Sequence, residues 1–306
     1  MARDLEFGAF LVTFGTDVTP DSFARAAREA ERVGFDAVCV GDHIALPANI
    51  PETYPFSKSG RSPFDIGQNV YEAFQVLSFI AAETDELALA TNTTIVPYRH
   101  PVELVRHVLT LDSLSNGRFE LGAAPGWLST EFDVLDVPFE DRGPLTDEFL
   151  AIFDRALGES EFGFDGTYHD FERIGFYPRP VDDGPTVWIG GDSGAAIRRV
   201  AEFGDGWTIF PESPAAVTDG LERIQRAWAD FERAGDPDVS VALPRLEFGM
   251  EDGSPMGDEA ELVEHLAEYA DAGATRIYIF PQEMAATSAD QAALFEYFAD
   301  EIAPLI

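Results

Sequence analysis

Apolar residues in this chain come in short runs separated by amphipathic stretches, and the alternation persists from one end to the other. Residues 7–14 form an apolar run that reads as a strand. Thr19, Pro20 and Asp21 then open a helix. The Thr19 hydroxyl can cap it, Pro20 suits its first turn, and Asp21 favours the positive end of its dipole. Phe23, Ala27, Ala30 and Val33 recur at helical spacing up to Gly34, and residues 35–41 return to strand. Two mostly apolar strands joined by a helix predict a parallel βαβ unit.

The rhythm continues. Strands are predicted over 86–96, 118–121, 186–189, 206–210, 239–248 and 276–280. Helices are predicted over 70–83, 102–114, 145–157, 194–203, 215–234, 258–272 and 289–302. Eight strands alternating with eight helices predict one closed (β/α)8 TIM barrel over residues 1–306. An open doubly wound sheet needs fewer strands and leaves more of the chain unexplained. No tandem repeat and no dividing linker interrupts the pattern. Two stretches do: the long, proline-rich 44–69, and 158–180, whose aromatics between turns predict a small hairpin. Loops of that length at strand ends are expected to cover a site and shape its pocket.

Composition narrows the classes. Hydrophobic residues make up 45% of the chain, enough for a large core, yet Asp and Glu total 56 against 20 Lys and Arg, for a net charge of −36. Lys58 is the one lysine. Such a surface fits a halophilic, high-salt cytoplasm, where self-repulsion is screened. It argues against binding a nucleic acid backbone, though a local pocket for a small phosphate stays open. Cys39 stands alone in an apolar run, so it is expected to be buried, with no disulfide within the chain. The N-terminus shows no apolar core behind a basic segment, so no signal segment is expected, and no apolar run approaches the ~18 residues that span a membrane. The expected compartment is the cytoplasm.

Candidate chemistry collects at the predicted strand ends, where such barrels carry their sites. Asp42 and His43 follow the second strand. The imidazole can move a proton or place a hydrogen bond on a redox group, with the carboxylate orienting a neighbour; equally, the pair can simply fix its loop. Thr91 to Thr94, including Asn92 and Thr93, set small polar groups after the third strand. Arg99 is either an anion contact or half of a salt bridge. Gly122, Ala123, Ala124, Pro125 and Gly126, closed by Trp127, read as a small-residue loop where backbone amides can approach a phosphate, or as a tight turn. A second turn, Gly190 and Gly191 before Ser193 and a helix, has the form of an anion site at a helix N-terminus, with Asp192 counting against direct phosphate contact. Neither matches the GxGxxG fingerprint or a P-loop. The five histidines form no HExxH motif, so a metal site is not expected. No GxSxG setting supports a hydrolase triad, while glycoside hydrolysis by two carboxylates stays open among 56 acids.

The chain also resembles a known family. GFDAVCVGDHI at 34–44, TTIVPYRHP at 93–101 and LTLDSLSNGRFELGAAPGW at 109–127 match the luciferase-like monooxygenase superfamily, most closely its branch that uses the deazaflavin coenzyme F420. EF at 131–132, PFEDRG at 138–143, FDGTYHDF at 164–171, PTVWIGG at 185–191 and FGDGW at 203–207 continue the match in order, across most of residues 7–210. The resemblance implies a TIM barrel, usually a homodimer, with the coenzyme at the C-terminal mouth. It puts His43 near the reactive ring with Asp42 beside it, and a non-prolyl cis peptide at the bulge around Asn92 and Thr93. It makes 122–127 and 190–191 cofactor-side segments. The chain departs from the family where Ala123 or Ala124 and Asn92 replace common glycines. The implied activity is hydride transfer between coenzyme F420 and a small organic substrate, with His43 assisting the proton. Two alternatives are an FMN-dependent monooxygenase served by a separate flavin reductase, and a non-catalytic flavin- or deazaflavin-binding barrel.

Overall fold

A computed structural model describes residues 5–16, 18–48, 50, 53–54, 60, 62, 66–243, 249–251, 254–256, 259–280 and 288–306. Eight parallel strands form the frame: β1 (Glu6–Phe10), β2 (Ala37–Val40), β3 (Ala88–Thr91), β4 (Phe119–Ala124), β5 (Thr186–Gly190), β6 (Gly206–Ile209), β7 (Asp238–Ala242) and β8 (Arg276–Ile279). Each pairs with the next in chain order, and β8 returns to β1 with Glu6 opposite Arg276. The sheet therefore closes, which excludes the open doubly wound alternative.

The period-two alternation of each strand divides the core. Ala37 and Cys39 join Phe10, Ala90, Ala242, Tyr278 and Phe280 inside the barrel. Val38 and Val40 face outward into the larger core shared with the helices. Both faces are apolar, so the strands read as continuous hydrophobic runs. Cys39 is buried and unbonded to sulfur, and burial pushes its thiol pKa up. At the N-terminal end, Arg276 is buried between Glu6 and Glu120, and the Trp188 indole also donates to Glu120. This closes the barrel as a packed core.

The helices around the sheet are α1 (Pro20–Val33), α2 (Ala73–Ala81), α3 (Pro101–Leu114), α4 (Ser129–Val134), α5 (Arg142–Gly158), α6 (Gly194–Phe203), α7 (Pro214–Asp230), α8 (Glu259–Asp271) and α9 (Ser288–Tyr297). α1 starts as expected: Thr19 and Ser22 form a reciprocal capping box, and Gly34 ends the helix in the left-handed region at φ 90°. The predicted hairpin within 158–180 is present as Glu161–Asp165 paired with Asp170–Gly175. Glu148 of α5 binds its tip, accepting the amides of Thr167, Tyr168 and His169.

Four expectations change. The single strand over 86–96 is split: β3 stops at Thr91, a short Thr94–Ile95 segment pairs with Ala123 and Ala124, and one 3-10 turn follows over Val96–Tyr98. β4 runs three residues further than 118–121, because small side chains let neighbouring strands pack closely on both sides. α4 was not anticipated, being too short for periodicity to reveal. The predicted strand over 239–248 ends at Ala242, and 244–248 lies outside the described residues, as does Lys58. No helix among the described residues is long and apolar enough to cross a membrane.

Candidate active site at the barrel mouth

The loop after β2 delivers Asp42 and His43 to the C-terminal mouth, and it sends their side chains to different partners. Asp42 turns inward. Its Oδ2 accepts the Ile95 amide at 2.9 Å and Arg99 Nη1 at 2.7 Å, and its Oδ1 accepts Arg99 Nη2 at 2.8 Å. The same guanidinium reaches Glu72 at 2.7 Å, and Glu72 caps α2 through the Gln75 amide. Burial opposes the Arg99 charge, but Asp42 and Glu72 outweigh it and raise the pKa. Of the two readings of Arg99, the geometry gives the salt bridge. The Asp42–Arg99 pair ties the ends of β2 and α2 to the turn after β3, so neither side chain presents uncompensated charge to the mouth.

His43 is held by a residue to which the sequence assigned no role. Glu131, on α4, has a fully buried side chain, and its Oε2 lies 2.8 Å from His43 Nδ1. Tyr98 donates to the same oxygen at 2.9 Å. Glu131 Oε1 accepts the amides of Ile44 at 2.7 Å and Ala45 at 2.9 Å. Four donors thus surround one buried carboxylate. Burial alone pushes its pKa up, but the hydrogen bond and charge of His43 and the two amides prevail, holding the carboxyl below its usual 4.5. Tyr98 moves the other way: burial, then the Glu131 charge, hold its phenol well above the ordinary range. With Glu131 ionised, Nδ1 carries the imidazole proton.

This predicts a pH dependence. Because the folded Glu131 pKa is depressed, its stabilisation is complete above the unfolded value of 4.5 and is lost as pH falls through the folded value. The stability difference between wild type and Glu131→Gln, measured by urea unfolding, should be constant from neutral pH to 4.5 and shrink below it. A difference that already shrinks between about pH 7 and 5 would contradict the assignment.

Beyond β3, the Asn92–Thr93 peptide bond is cis, at the position the resemblance indicated. Asn92 Oδ1 accepts a hydrogen bond from Thr208 of β6 at 3.2 Å, while its buried Nδ2 has no hydrogen-bond partner. The neighbouring small-residue segment differs from expectation. Gly122, Ala123 and Ala124 belong to β4 and are not a loop; the turn itself is confined to Pro125 and Gly126, with Gly126 at φ 87°. The Gly122 amide is taken by Thr91 Oγ1 at 3.1 Å, and a Cβ there would lie 2.0 Å from the Thr91 carbonyl oxygen. Ala123 is fully buried in the helix-facing core. Close strand packing therefore accounts for the small residues at 122 and 123. Ala124 is only half-buried, and Trp127 lines the mouth against Tyr54, with ring centroids 5.7 Å apart.

The second turn is an open one. Gly191 adopts φ 105°, its carbonyl accepts the fully buried Trp207 indole at 2.7 Å, and residues 191–195 are exposed. Ser193 caps α6 through the Ala196 amide, and Arg223 donates to the Asp192 carbonyl at 3.0 Å. A helix N-terminus and a guanidinium thus meet at one glycine turn, a setting suited to an anion. Sequence reading missed Arg223, since an arginine inside a charged helix carries no local signal. Among the described residues no His, Cys, Asp and Glu cluster could hold a metal ion.

The mouth opens into a pocket. Phe10 and Phe280, stacked at 4.2 Å, line its floor, and Asp42, His43, Asn92, Thr93 and Ile95 form one side. Phe14, Val70 and Tyr71 line it near a short ribbon in which Phe14 pairs with Val70. These features define an enzyme-like barrel: an apolar pocket at the C-terminal strand ends with a few fixed polar groups.

Comparison with known proteins gives the family. The luciferase-like monooxygenase model matches residues 5–246, and the chain belongs to that family. An uncharacterized protein of Mycobacterium tuberculosis is 27% identical over 95% of this chain and 96% of its own. Two solved structures share the fold. An F420-dependent secondary alcohol dehydrogenase, in complex with an F420-acetone adduct, superposes with a TM-score of 0.78 at 14% identity over 99% of both chains. The FMN-bound oxygenating constituent of 3,6-diketocamphane monooxygenase from Pseudomonas putida gives 0.74 at 14% identity, covering 99% of this chain and 98% of the other.

Proposed function

We propose that this chain is an F420-dependent oxidoreductase that transfers a hydride between the deazaflavin coenzyme and a small organic substrate. The observation that carries it is the His43–Glu131 pair, a histidine fixed in one tautomer at the edge of an aromatic-floored pocket. The residues present fit such a coenzyme. Asn92 holds a buried amide nitrogen without an acceptor beside the pocket, and ring carbonyls of a deazaflavin are acceptors of the right kind. The Gly190–Gly191 turn, with the start of α6 and Arg223, suits its phosphate. When bound, the coenzyme supplies the hydride chemistry. The protein supplies the rest. The aromatic walls exclude water. Glu131 holds the His43 ring and stabilises it when protonated, so Nε2 can give a proton to, or take one from, a substrate oxygen. Asp42 and Arg99 hold the loop that carries it. The family resemblance further suggests a cytoplasmic homodimer.

His43→Ala should lower turnover about 10²-fold while coenzyme affinity changes little. Unchanged turnover would remove the proton role. If FMN and oxygen replace coenzyme F420 in supporting turnover, the reaction is a monooxygenation.

A further inference from the structure

We infer that the substrate is an uncharged molecule built on a ring, an aromatic or alicyclic carbonyl compound or the matching alcohol; this rests on the hydride-transfer reading above. Flat surfaces dominate the pocket. Phe10 stacks on Phe280 at 4.2 Å and 17°, and Phe210 meets Phe280 edge-on at 5.9 Å. Tyr54 and Trp127 form a second edge-to-face pair at 5.7 Å, and Phe14 adds to the wall. Aromatic walls at these spacings reward a planar or compact ring, through offset and edge contacts, more than a flexible chain.

Charge decides the rest. Among the described residues lining the cavity there is no lysine or arginine. Among the described residues, Asp42 lines the cavity and Glu131 lies behind His43, and both are already hydrogen-bonded: Asp42 by Arg99 and the Ile95 amide, Glu131 by four donors. Among the described lining residues, no lysine or arginine stands ready to neutralise a carboxylate or phosphate on the substrate, and the one lining carboxylate, Asp42, is already paired with Arg99 against an ammonium group. A neutral oxygen meets His43 instead. In the reducing direction the carbonyl carbon gains the hydride as a new C–H bond, and the π pair of the C=O moves onto oxygen. That oxygen takes the proton from His43. The hydride and its electron pair would come from a C–H bond that breaks on the reduced deazaflavin ring, leaving that ring oxidised.

The test is calorimetric binding of acetophenone, 4-acetylbenzoate, 4-acetyl-N,N,N-trimethylanilinium and acetone, each with and without oxidised coenzyme F420. Acetophenone should bind at least about 10-fold more tightly than each of the other three. Tyr54→Ser should weaken acetophenone by about 10-fold and leave coenzyme affinity unchanged within about 2-fold. Binding of the benzoate, the anilinium or acetone as tight as that of acetophenone overturns the inference, and so does the absence of saturable binding by any probe. Failure of the coenzyme to bind overturns the hydride reading instead, since the order of the probes is measured without it as well.

Discussion

Replacing Glu131 by glutamine is expected to lower turnover by about 10²-fold or more while the barrel stays folded. The shape is nearly unchanged, and a glutamine oxygen can still accept the Ile44 and Ala45 amides that now meet Glu131 Oε1. The other terminal group becomes an NH2 facing His43 Nδ1 and the Tyr98 hydroxyl. Tyr98 can turn its oxygen to accept. The imidazole cannot keep its proton on Nδ1 against another donor, so the proton moves to Nε2 and the neutral ring can no longer take a proton there from a substrate alcohol. The positive form also loses the carboxylate that stabilises it. Steady-state kinetics check this: kcat should fall in Glu131→Gln while coenzyme affinity holds. A variant with wild-type turnover would show that Glu131 only anchors the loop.

The second large effect concerns Gly122. A methyl group there would lie 2.0 Å from the Thr91 carbonyl oxygen, with Thr93 Cγ2 at 3.3 Å. The first neighbour is backbone at the end of β3, a strand held by the ladder to β2, so neither side can yield without breaking pairing. Gly122→Ala should destabilise the fold by at least about 3 kcal/mol and lower Tm by roughly 6–12 °C. A scanning calorimetry trace with unchanged Tm would contradict this. The contrast is informative, because a glycine kept open for phosphate would leave Tm alone and weaken coenzyme binding when substituted.

How far the sequence revealed this molecule varies from one residue to the next. The barrel was legible because its strands are buried on both faces, and runs such as Ala37–Val40 have no polar alternative. Helix starts were legible where a cap is local, as at Thr19. Asp42 and His43 were legible as a site by position, though their division of labour was not. It depends on Arg99, 57 residues from Asp42, and on Glu131, 88 residues from His43. Glu131 was visible only as part of the EF match at 131–132, with no role attached, on a six-residue helix. What singles it out is burial beneath two loop amides, which only the folded chain supplies. The small residues at 122–124 do not reveal in sequence that they continue a strand, because a strand pressed against a neighbouring backbone and a tight turn select the same side chains.

The most direct test of the account is equilibrium titration of the purified protein with coenzyme F420 and with FMN in concentrated KCl, followed by fluorescence. The account predicts saturable binding of coenzyme F420, tighter than that of FMN, and weakened when Arg223, beside the Gly190–Gly191 turn, is replaced by alanine. Preferential binding of FMN, or binding of neither, would contradict it.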